Sequence, residues 1–208
     1  MYSTTDAIVL SLQPQSDKAH VLHAYTRASG RVNYKVFGLG KRHAVGLYSP
    51  LSLIQITANH STAQMPSVKE AVSLTAQRSY SDNSLSANAS ERSYSAAIYK
   101  QTICLFIAEV LYHVLRHPMQ DEPMFDFIAA AVQELDQTKE PQNFHLQFLI
   151  GLAAKLGFAI SEDSDLLRVP SSRAERQKQL RALCAYFAEH VETWEEPKSL
   201  DILMEVFD

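Results

Sequence analysis

Two periods divide the chain. Up to about residue 76, short runs rich in β-branched and aromatic residues recur between turn-forming clusters, with apolar positions repeating every second residue. Five strands are predicted, over 4–12 (TTDAIVLSL), 19–27 (AHVLHAYTR), 31–39 (RVNYKVFGL), 50–58 (PLSLIQITA) and 67–76 (SVKEAVSLTA). The separators are PQSDK, ASG, GKRHAVGLYS and NHSTAQMP, and Gly30 suits a tight hairpin because a positive φ is cheap only for glycine. Five short strands with no helix-length pattern among them point to a small closed barrel of the OB type.

A serine-rich stretch from 79 to 95, SYSDNSLSANASERSYS, follows. Serine offers little to bury and competes for backbone hydrogen bonds, so the domain boundary belongs near 80–92. Beyond it the period becomes helical. Residues 98–116 carry Ile103, Ile107, Val110, Leu111, Val114 and Leu115 on one face, and Pro118 ends the run. Residues 122–136 repeat the pattern with Phe125, Ile128, Ala129, Val132 and Leu135. Residues 143–158 are apolar on most sides and should form the central helix, capped at its C-terminus by Gly157. Ser172 and Glu175 have the spacing of a capping box, opening a helix through Leu180, Leu183, Cys184, Phe187 and Val191, and SLDILMEVF makes a last short helix. The expected architecture is α+β and multidomain: a five-stranded OB-fold β-barrel over 1–79, a linker over 80–92 and an all-α helical domain over 93–208.

Charge sharpens this division. Residues 1–103 hold ten basic side chains against five acidic ones, whereas 104–208 hold nine against eighteen, so a net charge of −4 hides a basic first half. An acidic protein of this kind can still bind nucleic acid through one face, because a phosphate field reaches only about 8 Å at physiological salt. The N-terminus MYSTTDAIVL lacks the features of a secretion signal, and no apolar run approaches the roughly 20 residues of a membrane span. A cytoplasmic, nucleoid-associated protein without a membrane partner is expected. Cys104 and Cys184 are read as buried, reduced core residues, since zinc would need about four ligands at short paired spacings.

The candidate chemistry lies on the second and third strands. Alternation puts Val21, His23, Tyr25 and Arg27 on the same outer face as Arg31, Asn33, Lys35 and Phe37, leaving Leu22, Ala24, Val32, Tyr34 and Val36 for the interior. Cations that track phosphates, interleaved with rings on which bases stack, are what single-strand binding needs. The next loop adds Lys41, Arg42 and His43. The bland alternative is a solvated hairpin whose charges only keep an exposed face wet.

Other motifs count for less. FGLGKRHAVG satisfies neither GxxxxGK[ST] nor GxGxxG, so no nucleotide cofactor is implied. Glu109, His113 and His117 are four apart on one helix, yet no second Glu-x-x-His completes a metal site, and a snorkelling or hydrogen-bonded histidine pair is the better reading. GxSxG and HExxH are absent, which argues against a hydrolase. No cofactor, metal or catalytic residue is therefore expected. A protein-interaction adaptor whose barrel no longer binds DNA is the competing class.

With these residues in hand, the run IVLSLQPQSDKAHVLHAYTRASGRVNYKVFGLGKRHAVGLYSPLSLIQI resembles the N-terminal OB domain of the RecO recombination mediators. The likeness rests on the Thr26/Gly30 turn, the Gly38/Lys41 loop and Pro50 opening the next strand. LFIAEVLYHVL, MFDFIAAAVQELD, NFHLQFLIGLAAKLGF and KSLDILMEVF resemble the helical domain of that family, in its branch without zinc cysteines. The resemblance implies binding of single- and double-stranded DNA and annealing of complementary strands. It also implies partnership with RecR and the single-strand-binding protein, and through them loading of RecA. DNA contact is expected at Arg27, Arg31, Lys35, Lys41 and Arg42, with Tyr25 and Phe37 as stacking rings. Between Phe158 and Ser171 the chain looks shorter than those relatives.

Overall fold

The computed structural model describes residues 2–39, 46–59, 65–75 and 91–206. The strands are β1 (Tyr2–Ser16), β2 (Ala19–Thr26), β3 (Gly30–Phe37), β4 (Leu53–Asn59) and β5 (Ser67–Ser73), closed into a barrel in the order β1-β2-β3-β5-β4. The expected OB-type barrel is present. β1 runs past the expected 4–12 at both ends because it serves two neighbours. Its first half pairs with β4, from Tyr2↔Asn59 to Ile8↔Leu53, and its second half with β2 as far as Ser16↔Ala19, with register shifts that let it bend. β4 begins at Leu53 rather than at residue 50 because Leu51 takes a positive φ of 60°. That turn is held by Leu51 N–H donating to the Val9 carbonyl at 2.8 Å and Val9 N–H donating to the Ser52 carbonyl at 3.0 Å.

The helices are α1 (Glu91–Val114), α2 (Glu122–Gln137), α3 (Phe144–Lys155), α4 (Arg173–His190) and α5 (Ser199–Val206). Residues 76–90, which hold most of the expected linker, lie outside the described residues, as does the loop carrying Lys41, Arg42 and His43. Helix ends follow local chemistry. Asp121 caps α2, its carboxylate accepting from Met124 N–H, with Pro123 in the first turn. At the end of α3, Phe158 N–H donates to the Ala153 carbonyl and Gly157 N–H to the Ala154 carbonyl, a Schellman closure. Ser172 caps α4 through Glu175 N–H, but the Glu175 carboxylate turns back to Ser171 N–H and Oγ, one residue before the partner of a standard capping box.

Two cores result. Leu22, Ala24, Tyr34 and Val36 fill the barrel with Ala7, Val9, Ile54 and Ile56, as strand alternation requires. The second core joins the helices to the barrel's outer side, where Ile8, Leu10, Tyr25, Leu51 and Leu53 pack with residues such as Phe106, Leu111, Phe125 and Ile128. α1 is the hub, touching β1, α3 and α5, a role that residues 143–158 were expected to fill. α3 is buried on several sides but does not reach the barrel as α1 does. Both cysteines are buried and unbridged. No described helix is long and apolar enough to cross a membrane.

Burial of one polar side chain makes stability depend on pH. His145 is enclosed within the helical core with its ring edge-on to Phe106, and desolvation, with Arg176 nearby, pushes its pKa down from 6.5 to about 3. The folded state keeps this imidazole neutral while the unfolded chain takes up a proton below about pH 6.5, so its stability contribution is present above that pH and lost as pH falls. Thermal melts at pH 7 and pH 5 should differ by about 2 kcal/mol from this group alone. His145→Leu should flatten the dependence, and an unchanged pH profile in that variant would refute the assignment.

Candidate nucleic-acid interface

The outer face of β2 and β3 is a ladder of cross-strand pairs. From the hairpin outward these are Tyr25↔Arg31, His23↔Asn33, Val21↔Lys35 and Ala19↔Phe37. The hairpin itself explains the Thr26/Gly30 spacing. Thr26 Oγ1 accepts from Ser29 N–H at 3.1 Å and donates to the Gly30 carbonyl at 3.0 Å, while Gly30 adopts φ +61°. A Cβ at Gly30 would collide with the backbone of Met119, because the hairpin rests on the connection between α1 and α2. Arg31 N–H reaches the His117 carbonyl in the same connection.

Helices cover the first half of this ladder, which corrects the expectation of an open track along its whole length. Tyr25 is only 3% exposed and stacks on Phe125 with centroids 6.4 Å apart, so it offers no face to a base. Arg31 lies over the Tyr112 ring at 4.1 Å and donates through Nη1 to the carbonyls of Tyr112 at 3.1 Å and Leu115 at 3.4 Å. Those carbonyls belong to the unpaired C-terminal end of α1, where a cation is favoured by the helix dipole. Arg27 sits over Phe125 at 4.4 Å and pairs with Asp126 at 2.7 Å, with Asp6 at 3.9 Å. His23 Nδ1 is 2.7 Å from Asn33 Oδ1, its ring meets Tyr112 edge-on, and burial lowers its pKa. Two arginines and a tyrosine read as nucleic-acid contacts therefore join the barrel to the helices. The physical reason is that the same stems and rings that suit a base also cover apolar surface well.

The signal for this cover was in β1. Ala7, Ile8, Val9 and Leu10 form an unbroken apolar run where a half-exposed strand would alternate, and such a run means both faces are buried.

The second half of the ladder stays open. Phe37 is 59% exposed, Lys35 is half-buried beside it, and Lys18 is exposed in the turn that leads into Ala19, the cross-strand partner of Phe37. Lys35 N–H donates to the Pro66 carbonyl at 2.8 Å, which ties β3 to the start of β5 and orients this edge. Across the barrel, Lys69 lies over the exposed ring of Tyr2 at 4.6 Å.

Of Glu109, His113 and His117, expected on one helix, only the first two lie on α1, which ends at Val114, and Glu109 has a structural role. Glu109 accepts from Lys198 N–H and from Ser199 N–H and Oγ, at 3.0, 3.0 and 2.6 Å, which caps α5. His113 is buried, 3.8 Å from Glu195, with its pKa lowered by desolvation. Among the described residues no three such side chains gather as metal ligands.

Comparisons with known proteins agree with this architecture. The family model described as "Recombination protein O C terminal" matches residues 95–168, which run from α1 through α3. A protein of Flavobacterium johnsoniae named "DNA repair protein RecO" is 27% identical over 253 aligned residues, covering all of both chains. One of Porphyromonas gingivalis with the same name is 32% identical over 164 residues, 76% of this chain and 61% of that relative. One of Christiangramia forsetii is 24% identical over 248 residues, 98% of each. The Flavobacterium alignment is longer than the 208 residues here, so that relative carries residues this chain lacks. With a closed barrel ahead of five helices among the described residues, and relatives of one name along its length, the chain belongs to the RecO family.

Proposed function

We propose that this chain is a DNA repair and recombination mediator, which binds single- and double-stranded DNA at the open end of the β2–β3 face and anneals complementary strands. With RecR and the single-strand-binding protein it would help load RecA, acting in the cytoplasm on the nucleoid. The observation that carries the reading is Phe37, an exposed ring beside Lys35 on the face by which OB folds take up oligonucleotides. Lys18 adds a cation at the same end, and Lys41 and Arg42 are proposed to add two more from the loop after β3. Annealing at such a site needs charge neutralisation and exposed bases, with no covalent step. Arg27, Arg31 and Tyr25 leave this contact set and become the struts that hold the face in position.

Salt titration with an oligonucleotide tests the proposal. Each neutralised phosphate should contribute about −0.7 to the slope of log K against log salt for single strands, and Lys35→Ala should remove about one such contact. Phe37→Ala should weaken binding by about 1–3 kcal/mol while leaving the slope unchanged, because stacking releases no counterions. Wild-type affinity in both variants would place DNA elsewhere. Annealing of strands coated with the single-strand-binding protein then measures the mediator step.

A further inference from the structure

Where α1, the 191–198 connection and α5 meet the outer side of β1, the described residues form a groove of about 480 Å³. Sites that take up ligand groups commonly have volumes of roughly 300–1,000 Å³. Its apolar rim is made by Leu105 and Ile202, which are 40% and 48% exposed although they sit on helices packed against each other. Leu10, Ser11 and Gln13 of β1 form its opposite wall.

Charge identifies the ligand. Three carboxylates, Glu109, Glu195 and Glu196, line the groove against a single lysine, Lys198. Burial alone would raise the Glu109 pKa, but the hydrogen bonds from Ser199 and Lys198 outweigh it and keep the group ionised. Arg116 answers Glu195 at 3.0 Å from beyond the lining, whereas Glu196 has no ion pair among the described residues. Phosphate is repelled by such a wall and a cationic side chain is drawn to it.

We infer that this groove docks a short segment of a partner protein that presents a lysine or arginine next to an aliphatic side chain. The aliphatic group lies between Leu105 and Ile202, and the cation faces Glu196 and Glu195. Gln13 lines the groove and also pairs with Val21 in the row that ends at Lys35, so a segment held here lies alongside the barrel's open face without competing for it.

The probe is a fluorescein-labelled hexapeptide of alternating leucine and lysine, titrated into the full chain, with a leucine and glutamate hexapeptide as its counterpart. Binding of the first alone is expected, weakening as salt rises, with amide shift changes in the 15N spectrum around Leu105, Lys198 and Ile202. Glu196→Lys should reduce affinity at least tenfold and Ile202→Ser severalfold. Both side chains are surface-exposed, and unchanged melting temperatures would show that the variants remain folded. The inference is overturned if the lysine peptide fails to bind, if the glutamate peptide binds equally well, or if Glu196→Lys has no effect. It is also overturned if the shifts lie elsewhere or if an oligonucleotide reproduces them.

Discussion

Gly30→Ala should lower the melting temperature by about 10 °C, corresponding to roughly 3 kcal/mol in a protein of this size. Two penalties combine. An alanine at φ +61° costs about 1–2 kcal/mol in conformation, and its methyl group would have to displace the Met119 backbone, an overpacking cost of about 1–3 kcal/mol. Gly38→Ala is the control, since Gly38 also has a positive φ, of 73°, but faces open space. It should cost only the first penalty. Equal losses in the two variants would mean that the hairpin does not rest on the connection between α1 and α2.

Arg31→Ala should cost about 3 kcal/mol. It removes two hydrogen bonds from a charged donor to the last carbonyls of α1 and the cation–π contact with Tyr112, leaving those acceptors unpaired beside a buried interface. Arg31→Lys should recover only part, because an ammonium cannot reproduce the planar fork over a ring. The DNA measurement separates this role from the one first expected. With folded Arg31→Ala the salt slope should match wild type, whereas a direct phosphate contact would flatten it by about one ion. Loss of slope without loss of stability would return Arg31 to the nucleic-acid face.

Both predictions concern one junction, and that junction is where reading from sequence fell short. Alternation correctly sorted β2 and β3 into inner and outer faces, down to Leu22, Ala24, Tyr34 and Val36 inside. It could not say what lay against the outer face. Tyr25 and Phe37 look alike in the pattern, yet one is buried beneath Phe125 and the other open to solvent. The run of Ala7 to Leu10 was a local warning that the barrel was covered on that side. Nothing local told that the cover stops between the His23 and Lys35 rows, because that edge is set by where Tyr112 on α1 comes to lie.

Periodicity, turn chemistry and caps are short-range, acting within a few residues, and so the strands, the Thr26–Gly30 hairpin, the Schellman end of α3 and the Ser172 cap of α4 could be read in one dimension. The allocation of cations between scaffold and site is long-range. Arg31 meets its partners some eighty residues later, and Glu109 caps a helix ninety residues on. A guanidinium over a ring is equally suited to a nucleic acid and to a helix end, and only the packing of α1 and α2 against the barrel decided which it would hold.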